Sequence, residues 1–446
     1  MKKNLALMLA GAFGALAAMP AQAVDLLAVY REAVAYDAQF ASARASLNAG
    51  KEKEAQGLAG LLPTIGLSSN TNWNDIDFQS RAAGAAKTNR EYNSNGWSVS
   101  LSQPIFRWQN FASYRQGQLS AALAGVQFGL ARYDLIVRVA QAYFDVLLAQ
   151  EAVATTGAQK TAIAEQLESA KRNFEVGTAT ITDTHEAQAR FDLATAQEIA
   201  AQNDLLVKRQ ALRTVTGKEY DNLKDLKSGV KLAAPQPNDI GKWVESAEQG
   251  GLTVQLGQLG LEIASKEIEK QRAGHLPTLD LVASRGRSSQ TGSIVAGVAA
   301  SGSDTDSTVV GLQLAIPLFS GGGVVSRDRE AVALREKALA DLENARRTAA
   351  LNARQAYLGV TSGLAQVGAY EAALLSSQSA LDSNKLGYEV GVRINIDVLN
   401  AQSQLFDTRQ KLAKARLDTL AALLKLKAAA GTLADEDVAA INSLLE

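Results

Sequence analysis

From Leu135 to Phe174 the chain reads LIVRVAQAYFDVLLAQEAVATTGAQKTAIAEQLESAKRNF. Counting alternately four and three from Leu135 lands on Val139, Ala142, Val146, Ala149, Val153, Thr156, Lys160, Ile163, Leu167, Ala170 and Phe174, and ten of these twelve positions are apolar. A seam of that period over more than five heptads predicts supercoiled helices and not a globular helical core. The helix carrying it is expected over 108–176, on the order of 100 Å at about 1.5 Å per residue. Gly177 then supplies the turn. A return helix over 184–217 has about half that length, and a helical segment over 26–61 makes up the difference if the two stack end to end.

The same grammar occurs twice. At an offset of 214, Leu62-Pro63-Thr64 recurs as Leu276-Pro277-Thr278, Gln141-Ala142-Tyr143 as Gln355-Ala356-Tyr357, Glu175-Val176-Gly177 as Glu389-Val390-Gly391, and Ala187-Gln188 as Ala401-Gln402. Pro104-Ile105-Phe106 and Pro317-Leu318-Phe319 match at 213. Collinear matches over so long a span indicate duplication, with a period too long for a solenoid. The second long helix repeats the seam with smaller residues (Ala349, Ala353, Ala356, Val360, Val367, Tyr370, Leu374), and its return helix does so from Val398 to Ala429. Alanine at a seam lets helices approach closely.

Ahead of each long helix lie two strand-like segments. Ile65 and Leu67, Val99 and Leu101, Leu279 and Leu281, and Val310, Leu312, Leu314 and Ile316 alternate with mostly small or polar residues. Polar loops are expected between the strands, over 74–95 and 286–307, with Trp73 and Trp97 as candidates for an interfacial aromatic belt. Four strands cannot cover their own edges, and open edges are not tolerated in lipid, so strands that span a membrane here must close a barrel shared between subunits.

Composition narrows the chemistry. The 446 residues carry 45 Lys and Arg against 46 Asp and Glu, a formal charge of -1, which gives no basic field for nucleic acid. With no Cys and only His185 and His275, thiol nucleophiles, Cys-ligated zinc, disulfides and most triads are excluded. No nucleophile with a positioned base is evident, and Gly321-Gly322-Gly323 lacks the Gly-Lys-Ser/Thr ending of a phosphate loop, so it reads as a strand-to-helix hinge. No enzyme activity, metal or cofactor is expected. Lys2 and Lys3, the apolar run from Leu5 to Ala18 and Ala21-Gln22-Ala23 read as a secretory signal peptide cleaved after Ala23. Val24 comes next, so no thiol is available there for a lipid anchor.

These features together, with Val176-Gly177 leading to Ile181-Thr182-Asp183, and Ile396-Asp397-Val398-Leu399 before Ala401-Gln402, resemble the TolC family of outer-membrane exit ducts across the whole mature chain. Val24 makes the chain more similar to the family's name-giving branch than to its lipid-anchored branch. The resemblance implies a mainly α fold with a small transmembrane β portion. It implies a homotrimer whose three sets of four strands close one barrel, above a periplasmic tunnel of helices. Expected divisions are a signal peptide over 1–23, a first repeat over 24–230, a second over 231–446, and collar segments at about 218–250 and 432–446. By the same resemblance Gln166, Asp183, Tyr388 and Arg393 match a latch that closes the periplasmic end. Asp397 matches an inward-facing carboxylate of the entrance constriction, where the family often has a second aspartate and this chain has Asn400. A carboxylate ring of that kind favours cations.

The function so implied is passive export, as the duct of a tripartite efflux or type I secretion system. Expected partners are a periplasmic adaptor (membrane fusion) protein, an inner-membrane ABC, RND or MFS translocase, and outer-membrane lipid, but no nucleic acid. A trimeric coiled-coil structural or adhesive cell-surface protein is the alternative; it accounts for the heptads but not for the paired strands or the duplication. An ordinary porin would need many more strands per chain.

Overall fold

The computed structural model describes residues 23–81, 83–227, 229–292 and 302–446. The expected signal peptide lies outside them except for its last residue. The order is α1 (Leu26–Tyr36), α2 (Ala38–Ala59), β1 (Thr64–Phe78), β2 (Thr88–Phe106), α3 (Trp108–Glu175), α4 (Ile181–Thr216), α5 (Ile240–Gly250), α6 (Leu252–Arg272), β3 (Thr278–Gln290), β4 (Ser303–Ala315), α7 (Gly323–Glu389), α8 (Asn395–Ala429) and α9 (Asp435–Asn442). The fold is mainly helical with one small sheet. No helix among the described residues is long and apolar enough to cross a membrane.

Residues 46–126 and 256–343 form one compact unit. Its strands make a single antiparallel sheet in the order β1-β2-β3-β4, with β1 and β4 as edges. The register sorts the side chains into two faces. Ile65 stands opposite Leu101, Leu101 opposite Ala283 and Ala283 opposite Val310, while Leu281 faces Leu312 and Leu279 faces Leu314. These residues share one face, because directly paired residues point the same way. Leu67, Val310 and Leu312 on it are 74%, 70% and 68% exposed. The other face carries Ser68, Ser98 and Gly286 in one row and Ser100, Ser284 and Val309 in another.

The strands of the first hairpin outrun the sequence reading. In place of a polar loop over 74–95, β1 continues to Phe78 and β2 begins at Thr88. The polarity is that of paired side chains: Asn74 donates to the Ser94 hydroxyl at 2.9 Å, Asn89 to Asp75 at 2.7 Å, and the Ser68 and Ser98 hydroxyls lie 2.9 Å apart. Likewise β3 runs on to Gln290 and β4 starts at Ser303, inside the loop expected over 286–307, part of which lies outside the described residues. Where β2 hands over to α3, Arg107 grips the buried Asp280 with two hydrogen bonds of 2.7 and 2.6 Å. Positive φ at Gly321 and Gly322 turns the chain into α7, the hinge expected there.

Residues 23–45, 127–255 and 344–446 form the second compact unit. The α3 seam is buried at Leu135, Val139, Val146, Ala149, Ile163, Leu167 and Ala170. Its polar members have partners: Lys160 reaches Glu198 of α4 at 2.8 Å, and the Thr156 hydroxyl donates back to the Ala152 carbonyl at 2.8 Å. A second stripe, Ile136, Ala140, Tyr143, Phe144 and Leu147, is also buried and packs with α1, α9 and the segment after α4. The segment 26–61 is not one helix. Asp37 interrupts it, because its carboxylate accepts from the Phe40 amide at 2.6 Å and binds both terminal nitrogens of Arg138 at 3.1 and 3.2 Å. Hydrogen bonds tie α1 to α9: Asn442 donates to Asp25 at 3.0 Å and accepts from the Leu27 amide at 3.2 Å, while the Tyr30 hydroxyl donates to Asp435 at 3.0 Å. Single bridges join Val24 to Leu223 and Leu226 to Leu445.

Candidate functional site

Both long helices end alike. At Gly177 (φ 79°) and Gly391 (φ 78°) the chain adopts the left-handed conformation that glycine tolerates best. The Thr178 amide closes on the Asn173 carbonyl at 2.8 Å and the Val392 amide on the Gly387 carbonyl at 2.8 Å, so the turns are copies. The helix starts just beyond the two turns are not copies. Thr180 and Asp183 form a capping box at the start of α4: the Asp183 carboxylate accepts from the Thr180 amide at 3.0 Å and hydroxyl at 2.8 Å, and the Thr180 hydroxyl receives the Asp183 amide at 3.3 Å. In the second repeat the same two positions hold Ile394 and Asp397. Isoleucine cannot cap, so the equivalent carboxylate is released from the backbone, and Arg393 approaches it to 3.7 Å.

The residues picked out for the latch therefore fall into separate contacts. Gln166 of α3 donates to the Asn395 side-chain oxygen at 2.5 Å, and Asn395 donates in turn to the Asp183 carbonyl at 3.4 Å. This links Gln166 to Asp183 through the backbone of Asp183, whose carboxylate is engaged in the capping box. Tyr388 of α7 accepts from Asn173 of α3 at 3.0 Å. Within the described chain Arg393 meets Asp397 and not Asp183. Asn400 accepts a 2.9 Å hydrogen bond from Arg190 of α4, which fastens the start of α8 to α4.

Asn395 was not legible as a site residue, yet it is 1% exposed and stands at the centre of the network. A buried amide bonded on both its oxygen and its nitrogen is far more directional than an apolar contact. The signal for it was the duplication: the equivalent position is Ile181, and an apolar residue in one copy facing an amide in the other marks a difference in use. Asn173 and Arg190 were missed as well, and their equivalents, Gly387 and Gln404, give no comparable signal. Beneath the network an apolar cluster of Ile163, Leu167, Ala170, Ala187, Ala194 and Leu399 holds α3, α4 and α8 together. At the turns themselves Val176, Val390, Val392 and Ile394 are all more than half exposed.

The outer membrane efflux protein family profile matches residues 29–218 and again 243–432. The chain is similar to the outer membrane protein TolC of Vibrio cholerae, 32% identical over 446 residues that cover all of this chain and 99% of that one. It is 34% identical to the alkaline protease secretion protein AprF of Pseudomonas aeruginosa over 98% of this chain and 90% of that one. Among solved structures, the outer membrane channel CmeC of Campylobacter jejuni superposes with a TM-score of 0.79 at 16% identity, covering 94% of this chain and 90% of that one. The outer membrane protein VceC of Vibrio cholerae gives 0.75 at 18% identity, covering 91% and 96%.

Proposed function

The chain belongs to the outer membrane efflux protein family and acts as a passive exit duct in the outer membrane, and from that premise we propose that three copies close one barrel and that the contacts around Asn395 form its periplasmic latch. The observation that carries the assembly is the sheet. It has two free edges, an apolar face and a face of serine, glycine and asparagine. A free edge in lipid is untenable, and pairing β4 of one copy with β1 of the next removes every edge at once. The serine-rich face then lines water and the apolar face meets lipid.

Members of this family are channel proteins, and no nucleotide-binding motif occurs in the sequence, so energy for export comes from the partners. We assign those partners as an inner-membrane translocase and a periplasmic adaptor. The exposed Val176, Val390, Val392 and Ile394 are the apolar surface an adaptor would cover. The relative named for protease secretion supports polypeptides among the cargoes. The latch is a set of hydrogen bonds and one loose ion pair, each worth about 0.5–1.5 kcal/mol or less, which suits a gate that a partner opens. Asp397 is assigned to the entrance constriction, with Asn400 held aside by Arg190.

Single-channel conductance of the purified trimer in planar bilayers tests this reading. A small conductance that rises severalfold when Arg393→Ala is combined with Asn395→Ala is expected. A conductance already large in the wild type, or unmoved by the pair, would remove the latch assignment, and a monomer in detergent by sedimentation would remove the shared barrel.

A further inference from the structure

On the apolar face of the sheet the register places two arginines. Arg285 stands opposite Val99 on one side and Thr308 on the other, and Arg287 stands opposite Trp97 and Asp306. In β3 and β4 both arginine rows lie nearer the Gln290 and Ser303 ends than the ends that lead from α6 and into α7, and each row stands one step further from α3 and α7 than the row before it. With the helices periplasmic, the two arginines lie toward the exterior, on the outer-leaflet side of the rows built on Leu101 and Val310. They differ in one respect. Arg287 is paired with Asp304 at 2.7 Å, whereas no hydrogen bond or ion pair to Arg285 occurs among the described residues, and its side chain is exposed.

We propose that Arg285 binds a phosphate of a phosphorylated glycolipid in the outer leaflet, with Thr308 and the edge of Trp97 flanking the headgroup. The inference rests on the reading above that this face meets lipid. A guanidinium at the rim of an apolar band must reach the headgroup layer or find an anion, and its planar fork matches phosphate oxygens. The residues directly opposite it, Val99 and Thr308, carry no charge, and the carboxylates nearby, Asp306 and Asp304, sit one and two rows further out around Arg287. Apolar side chains below and an indole beside it give the ligand both an acyl floor and an interfacial ring. Each of these groups belongs to β2, β3 or β4 of one chain, so the site is complete within a protomer.

The test uses the full trimer in nanodiscs of neutral phospholipid, titrated with lipopolysaccharide, with the same glycolipid after enzymatic removal of its phosphates, and with phosphatidylglycerol. Wild type is expected to prefer the phosphorylated glycolipid over both others. Arg285→Gln should lose about tenfold in affinity, the scale of one charge-assisted hydrogen bond at a partly exposed position. Arg285→Lys should recover part of the loss, and Arg287→Gln should leave binding within a factor of about two. Equal binding of the dephosphorylated glycolipid by wild type would overturn the proposal whether or not the glutamine variant assembles. Equal binding of phosphatidylglycerol would overturn the glycolipid assignment. If the lipid-facing reading itself were wrong, wild type would retain none of the three, which separates that failure from a misplaced site.

Discussion

Asn395 shows how much one side chain can decide. Three segments meet at its amide: Gln166 on α3, the Asp183 carbonyl on α4, and α8, which it begins. Asn395→Ile would install the first repeat's residue, fill the space and leave the Gln166 amide without its partner, at a cost of about 1–3 kcal/mol. The expected result is a higher open probability in bilayers with a modest fall in melting temperature. An unchanged channel would mean that the apolar cluster below holds the turns by itself. Asp37 is the other decisive residue. Burial works to raise its pKa, but the Arg138 guanidinium and the Phe40 amide outweigh burial and hold it below the ordinary carboxylate value. A folded value below the unfolded value of about 3.9 means that its contribution is complete above that pH and fades as pH falls toward the folded value. Acid unfolding followed by circular dichroism between about pH 5 and 2 should therefore be flatter in Asp37→Asn than in wild type.

At the scale of elements, the duplication was the most informative thing in the sequence, and it was under-read. The reading from the heptad seam placed α3 to within a residue and recognised α7 by its seam without fixing its ends, because a seam repeated so often leaves little choice of period. Alternation found the four strands but cut the first hairpin short, since serine and asparagine paired across a ladder look like loop when each strand is read alone. Asp37 was invisible as a break because the apolar pattern continues through it. In the site, the family resemblance picked out residue types by their distance from the two glycine turns, but which donor met which acceptor depended on packing between α3, α4 and α8 that no single helix encodes. Comparing the repeats position by position makes a prediction of its own. Ile394→Thr should rebuild at α8 the capping box that α4 has, with Asp397 accepting from the new hydroxyl and turning away from Arg393. Stability should rise by about 0.5–2 kcal/mol, read by thermal unfolding, while the block of current by divalent cations weakens. A capped helix with undiminished block would show that Asp397 faces the pore whichever way its carboxylate is bonded.

For the whole molecule, the entrance constriction proposed above bears on selectivity. On that proposal, with Asn400 engaged by Arg190, each protomer would offer one carboxylate, Asp397, and a trimer a single ring. Asn400→Asp should add a second ring and lower the concentration of divalent or trivalent cation that halves the current, by roughly tenfold or more. No shift on comparing the two proteins under identical salt would mean that position 400 does not face the pore. The ties between α1 and α9 carry a different consequence, one of timing. Leu27 and Asn442 are partners across 415 residues, so the earliest described helix, although it already packs on α3 and on the segment after α4, keeps the hydrogen-bonding groups of Asp25, Leu27 and Tyr30 without their α9 partners until the last helix has been made and delivered. Closing a loop that long carries an entropic cost before any contact offsets it. The hairpins and the helix turns can form from local sequence while the contact between α1 and α9 is still open. A chain cut short before Asp435 would therefore keep α1 seated on α3 yet leave bare the part that Val438 and Ile441 cover, a mark by which an unfinished product differs from a finished one.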